Sequence, residues 1–426
     1  GKALKKSLKI DLNKFAKGRN LAGVTTLNLH SNVTDPASMN EPLAHRLYRD
    51  AGIPAPRTSY ARVYLTVPGL HDRKLVGLYS LVENVDRHFL ADQMDEPLGA
   101  LFKPVSPNMF AYSGDDWSRY EQAFDPKTPT KAAQKQRVID FCRLVTKAVD
   151  AEFAAKIGDF IDLEAAARYF AVTTWLVDLD GLYGPGQNFY LYLHPKTNKF
   201  LFIPWDQDHS FGQFGMKGTQ EDREGLSIHK PWEDRRRFLE RLFGVKTFKD
   251  QYIARLDEFS KTIFRPERFD EQVAEAAATI RQAVLEEDKA KAAILEAAAK
   301  GEIRKTGLFG MGGAVTPIRT FAKARTKSVT DQLAGTSKGR ELKPPVPAPK
   351  GFGLGDFLAG PFLKGLDADG DKSVTRDEFT AGFARWFASW DTDKSGVLSA
   401  EELRVGMDRD LSPSPPSPPV AAPKAK

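Results

Sequence analysis

Two apolar runs, Asn188–Tyr192 and Phe202–Gly212, flank a turn-rich hexapeptide, His194-Pro-Lys-Thr-Asn-Lys199. Runs of this kind across such a turn fold as a β-hairpin. The second run, Phe202-Ile-Pro-Trp-Asp206-Gln-Asp208-His-Ser-Phe-Gly212, carries two carboxylates where its strand ends, and the first opens on an amide, Asn188. Hairpin pairing brings the amide and the carboxylates to one end. That is a hard-oxygen donor set. It suits Mg²⁺ with phosphate, because this ion keeps several waters and takes only one or two carboxylates from a protein. Asn188, Asp206 and Asp208 are therefore candidate metal ligands. The alternative is a hairpin whose loop is acidic for no catalytic reason.

The 426 residues exceed one compact core and suit two or three domains. With 62 Lys and Arg against 56 Asp and Glu, the net charge is only +6. Charges of both signs are spread along the chain, with a local basic cluster at Lys2, Lys5, Lys6 and Lys9. That pattern argues for a solvated surface and against a nucleic-acid partner. No run of about 18 apolar residues is present, so no membrane-spanning helix is expected. The single cysteine, Cys142, excludes internal disulfides and cysteine-based zinc sites. It falls in an apolar helical pattern with Val138, Phe141 and Val145 and reads as core. The seven histidines show no metal-ligand spacing. The chain opens on Gly1-Lys-Ala-Leu with no signal-peptide pattern, so its start gives no compartment.

Composition divides the chain. Residues 1–90 mix strands (Lys6–Leu12, Val24–Leu29, Ser59–Val67, Leu75–Glu83) with one helix. The helix follows the start signal Asp35-Pro36, carries Leu43, Leu47 and Tyr48, and ends near Gly52. Residues 91–335 are mainly helical, with periodic runs at Ala132–Ile157, Leu163–Leu179 and Gln272–Ala299. Gly307–Gly313 contains glycines but follows a helix, which makes it a poor phosphate loop. Residues 336–355 hold Lys343-Pro-Pro-Val-Pro-Ala-Pro349, an extended linker. A small module spans 356–410, and a proline-rich tail that cannot pack a core spans 411–426.

The small module carries two twelve-position calcium loops of the EF-hand pattern. The first places Asp367, Asp369, Asp371, Ser373, Thr375 and Glu378 at the ligand positions. The second places Asp391, Asp393, Ser395, Val397, Ser399 and Glu402 there, with Gly396 at the sharp turn where the first loop has Lys372. Only Phe379–Trp390 separates the loops, about 18 Å of helix, so the two must share it. This spacing resembles that of dockerin modules. It points to a folding or docking role rather than a calcium switch. Gly360-Pro361 is expected to shorten the preceding helix.

Upstream of the hairpin, Asp178-Leu-Asp180 closes a helix. An Asp, then an Asn, then an Asp is the order used by phosphotransferases of the protein-kinase type. The first Asp meets the acceptor hydroxyl, and the other two residues hold the metal. Here Asp180 precedes Asn188 by eight residues, against five in the common kinase loop, and Tyr183-Gly-Pro-Gly186 absorbs the difference. The N-terminal order of strand, helix, strand, strand and hinge (Glu83–Phe89) also fits a kinase small lobe. Glu41 on the helix is placed to fix a phosphate-binding lysine, with Lys5, Lys6 and Lys9 as candidates. His-Arg-Asp, Asp-Phe-Gly and a Gly-x-Gly-x-x-Gly loop are missing.

Six segments in order resemble the spore-coat-protein-H (CotH) kinase family. They are Leu27–Asp35, Gly77–Asp86, Leu101-Phe-Lys103, Asp178–Asp180, Asn188–Tyr192 and Ile203–Gly212. The resemblance covers roughly residues 2–335. It implies an α+β, atypical protein-kinase-like two-lobed fold with a helical C-terminal extension, followed here by the small all-α EF-hand module. It further implies ATP and Mg²⁺ or Mn²⁺ as cofactors, beside Ca²⁺ in the module, and transfer of the γ-phosphoryl to Ser or Thr of a protein substrate. Asp180 would be the catalytic aspartate, and Asn188, Asp206 and Asp208 the metal ligands. Lys5 or Lys6 would meet the phosphates, Glu83 would lie near the adenine-side hinge, and Lys103 would contact the nucleotide. Two positions depart from the family. The segment that should precede Lys5-Lys6-Ser7 as a phosphate-covering turn is missing, and Asn40-Glu41 stands where Arg-Glu is usual. A monomer outside the bacterial cytoplasm is expected. Two alternatives stay open, an inactive kinase-like calcium-binding scaffold and another Asp-x-Asp nucleotide-dependent transferase.

Overall fold

Four antiparallel strands form the N-terminal sheet: β1 (Leu8–Asp11), β2 (Thr26–His30), β3 (Thr58–Val67) and β4 (His71–Val82), in the order β1-β2-β4-β3. The computed structural model describes residues 4–106, 108–233, 236–306, 313–342 and 354–411. The glycines from 307 to 312, the prolines of 343–353 and the 412–426 tail lie outside the described residues. The chain divides into two compact units, Gly1–Pro344 and Pro345–Lys426.

Helix α1 (Asn40–Asp50) joins β2 to β3 and buries Leu43, Leu47 and Tyr48 on one face. It begins later than Asp35-Pro36 suggests. The Asp35 carboxylate instead reaches forward and accepts the Asn40 N–H at 2.7 Å. After β4, Asp86 caps α2 (Arg87–Met94) by accepting the His88 and Phe89 N–H groups. The expected hinge is therefore a capped helix start.

The second sheet is antiparallel in the order β5 (Ala100–Phe102), β6 (Phe189–Leu193), β7 (Phe200–Pro204). Phe189 pairs with Pro204 and Leu193 with Phe200. All of β6 is buried, so both faces of this hairpin are covered. One face joins the main core. The other gathers Tyr190, Tyr192, Ile203 and Trp205 with Val82, Phe89 and Leu90.

The main core is built around the helix Leu163–Leu176. Asp162 caps it by accepting the Ala165 N–H, and Trp175 stacks on Phe264 and Phe269, each at 4.8 Å. Val177 takes a left-handed conformation, φ 54°, which ends the helix and turns the chain into Asp178-Leu-Asp180. Cys142 lies in the same core, where burial pushes its thiol up. Two long helices expected from periodicity are each divided. Ala132–Lys147 and Asp150–Phe160 separate at the extended Ala148 and Val149. Pro266–Glu287 and Lys289–Lys300 separate at Asp288, whose side chain accepts the Lys291 N–H and so starts a new helix.

In the second unit the helices Leu354–Leu366, Arg376–Trp390 and Ala400–Asp410 enclose the two loops, and the middle helix serves both. Leu366, Trp386, Trp390 and Leu411 form its core. The first helix runs through Pro361 rather than ending at it. The packing of Phe362 and Leu366 on the tryptophans outweighs the missing backbone bond. Among the described residues no helix is long and apolar enough to cross a membrane.

Candidate active site

The end of β2 and the start of α1 meet over β7. His30 Nδ1 lies 2.9 and 3.0 Å from the two oxygens of Glu41 and 3.8 Å from Asp206 Oδ1. Glu41 is fully buried. Burial alone would raise its pKa, but the two imidazoles, His30 first and His45 behind it, together outweigh burial and hold the carboxyl at about 2. His45, one turn along α1 and also fully buried, has Nε2 3.7 Å from Glu41 Oε1 and makes no hydrogen bond.

Glu41 is thus partnered by an imidazole, not by the expected lysine. Lys5 pairs instead with Glu287, at 2.8 and 3.0 Å, and burial pulls it down to about 8. The Glu287 carboxylate also accepts the Leu78 N–H at 2.6 Å. Gly77 makes room for it: at φ 143°, a Cβ here would come within 2.5 Å of Glu287 Oε2. Lys6 is exposed, and Lys9 Nζ sits 3.4 Å from Asn84 Oδ1. Glu83 is taken up by Arg57, whose backbone N–H donates to it at 2.9 Å and whose guanidinium pairs with it. The lysine that faces Asp206 comes from the end of β5. Lys103 Nζ stands 5.3 Å from the Trp205 ring centre and 5.6 Å from that of Tyr190. Burial lowers its pKa, and the Asp206 charge opposes that shift.

On the other side of the cleft, Asn188 Nδ2 donates to Asp180 Oδ2 at 3.0 Å and to the Asp180 carbonyl at 3.2 Å. Among the described residues its amide oxygen makes no hydrogen bond, which leaves it available to a cation. Asn188 and Asp206 both have positive φ, 60° and 52°. Asn and Asp tolerate that region best, yet two such residues at facing strand ends mark a backbone held in place by its surroundings. Asp208 accepts from the Thr34 hydroxyl, and its carbonyl accepts Asn40 Nδ2 at 2.7 Å. The cleft therefore joins the β2–α1 turn to the segment after β7.

The electrostatics are those of crowded carboxylates. Burial, then the charges of Asp208 and Glu41, push Asp206 up to about 7. Burial pushes Asp178 and Asp35 up to about 7 as well. Asp178 accepts Gln207 Nε2 at 3.2 Å. Burial and the Asp208 charge also raise Asp180, and His209 opposes them. Such a cluster favours a cation in its midst. The donor set of carboxylates with an amide oxygen fits a hard divalent ion. Among the described residues, the His and carboxylate groups in this cleft whose ligand atoms lie within 4.8 Å of one another are His30, Glu41 and Asp206. Sequence reasoning assigned no role to His30, Thr34, Gln207 or His209, and gave Asp35 only that of a helix-start signal. His30 and Asp35 lie in the first family-like segment, but only the fold shows that His30 faces Trp205 and Asp206.

In the second unit, Asp367, Asp369 and Glu378 offer oxygens within 4.8 Å of one another, and so do Asp391, Asp393 and Glu402. Glu378 accepts the Ala368 and Thr375 N–H groups, each at 2.9 Å, and Glu402 accepts that of Thr392 at 2.9 Å. Asp371, Ser373, Ser395, Val397 and Ser399 complete the two loops, which end on capping boxes at Thr375 and Ser399. Lys372 has φ 67° and Gly396 φ 80°, so the turn has one geometry in both loops. These oxygen sets fit Ca²⁺.

Comparison with curated proteins finds the inner spore coat protein H of Bacillus subtilis (strain 168), 24% identical over 204 residues. The match takes in 47% of this chain and 53% of that protein, so the chain spans about half the length of the curated relative it matches. The family profile described as CotH kinase protein matches residues 2–329, which include every described strand and every residue of the cleft. The chain belongs to the CotH kinase family.

Proposed function

We propose that this chain is a metal-dependent phosphotransferase that moves the γ-phosphoryl of ATP to a Ser or Thr hydroxyl of a protein, at a coat or other surface outside the cytoplasm. The observation that carries this reading is the 3.0 Å bond between Asn188 and Asp180, with Asp206 and Asp208 placed beyond them in catalytic order. Asp180 receives the acceptor hydroxyl. Burial and the neighbouring Asp208 raise its basicity, so the proton can pass to its carboxylate as the new O–P bond forms. The bond from the γ-phosphorus to the β–γ bridging oxygen breaks, and ADP leaves. Asp206, Asp208 and the Asn188 amide oxygen would hold Mg²⁺ or Mn²⁺, which would supply charge neutralisation to the phosphates. Lys103 is the cation placed to meet them from the β5 side. The two loops of the second unit bind Ca²⁺ and stabilise that unit.

One specific observation favours a second reading, a kinase-like scaffold without transfer. Lys5 and Glu41 are each committed to other partners, so the lysine–glutamate pair of protein kinases is not formed.

Incubation with γ-labelled ATP, Mg²⁺ or Mn²⁺ and casein decides between them. Metal-dependent label on protein, reduced by roughly 10²-fold or more in Asp180→Ala and Asp206→Ala, supports transfer. Metal-dependent ATP binding without label supports the scaffold.

A further inference from the structure

The trio of His30, Glu41 and Asp206 is not the hard-oxygen set of the phosphate site. We infer that it forms a second cation position, one with an imidazole nitrogen, that takes a first-row divalent transition ion such as Mn²⁺ in preference to Mg²⁺. His30 Nδ1 lies 2.9 Å from Glu41 and 3.8 Å from Asp206. Donors held about 2.1 Å from one octahedral ion lie about 3 Å apart, so these atoms need only small movements to share one. Asp206 has two oxygens, one available to each position. The site has a built wall. Glu41 is fully buried, and behind it His45, equally buried, has no hydrogen bond and stands 3.7 Å from the Glu41 carboxylate. Among the described residues no lysine or arginine pairs with Glu41. When the ion binds, His30 gives its Nδ1 proton to solvent and presents the lone pair. Imidazole suits transition ions, whereas Mg²⁺ prefers oxygen ligands and holds its waters.

The test uses the full chain with excess Ca²⁺, so that the loops of the second unit are filled. Mn²⁺ is added without nucleotide, and pulsed EPR reads ¹⁴N coupling. The expected result is imidazole coupling on bound Mn²⁺ that survives roughly tenfold excess Mg²⁺. It is lost in His30→Gln and kept in His209→Asn, with circular dichroism checking both folds. Bound Mn²⁺ without nitrogen coupling, ready displacement by Mg²⁺, or coupling that persists in His30→Gln overturns the inference. If His30→Gln does not fold, loss of coupling in His209→Asn or in His45→Asn overturns it, and retention in both upholds it. The measurement needs no ATP. Its failure leaves the phosphotransferase reading standing, and loss of transfer activity leaves this site standing.

Discussion

Asp35 and Asp178 carry buried carboxyls pushed up to about 7, against about 4 in an unfolded chain. Between those values the native state binds protons that the unfolded state has released. The stability they contribute is complete below about pH 4 and is lost as pH rises through 7. Glu41, held at about 2, acts only below about pH 4.5 and does not enter that window. Melting in the presence of a chelator should therefore fall between pH 5 and pH 8, on the order of 5 °C. Asp178→Asn should flatten the slope, and an unchanged slope would remove Asp178 as a source. At this scale the sequence was informative where a residue's role depends on near neighbours. Asp180, Asn188, Asp206 and Asp208 are close in sequence, and they line one cleft. The partner of Lys5 was not legible, because its contact with Glu287 spans 282 positions; those of Glu41 and Glu83, His30 and Arg57, are 11 and 26 positions away but lie on other elements. Gly77 is part of that contact. Gly77→Ala should expel Glu287 from its place beside Leu78 and cost about 1–3 kcal/mol in urea unfolding.

Elements hold these residues through a few buried polar ties. Arg325, fully buried on the helix Ile318–Leu333, donates to the carbonyls of Thr174, Glu224 and Leu226 at 2.9, 3.2 and 2.6 Å. It has no carboxylate partner among these contacts, and burial lowers its pKa to about 10. Thr174 lies in the last turn before Asp178, so the guanidinium fixes the end of the helix that delivers Asp180. Arg325→Leu should leave the carbonyls unpaired and cost about 3–5 kcal/mol, with transfer activity lost before the fold is. A variant with normal activity and stability would place the constraint elsewhere. Periodicity found the long helices but not their breaks at Ala148 and Asp288. The second break depends on the Asp288 side-chain cap and the first on two residues of extended backbone, neither of which a repeat of apolar residues registers. The loops show the opposite case, since their twelve-position spacing fixes the backbone. Lys372 is held at φ 67°, at a cost of about 1 kcal/mol that glycine avoids. Lys372→Gly should tighten Ca²⁺ binding at the first loop by about fivefold in calorimetry. Unchanged affinity would show that the turn carries no strain.

Across the whole molecule, the division into two units lets the loops of the second be tested apart from the cleft of the first. The proline-rich composition near the unit boundary pointed to such a division. The family-like segments lie entirely on the first side of it, which is why the sequence assigned chemistry to one unit and ion binding to the other. A ligand that binds only the native state stabilises it, by about 2.7 kcal/mol when present at about 100 times its Kd. In the wild type, Ca²⁺ should therefore raise the melting transition of the second unit, with two ions bound per chain. In Glu402→Ala the second loop loses the oxygens that close it, so stoichiometry should fall to one and the Ca²⁺-dependent gain should shrink. The proposed phosphotransfer, assigned to Asp180 and Asp206 in the other unit, should be unchanged in the same preparation. A parallel loss of transfer would mean that the two units are coupled and that calcium regulates the cleft. Equal stoichiometry in wild type and variant would mean that the second loop does not bind the ion.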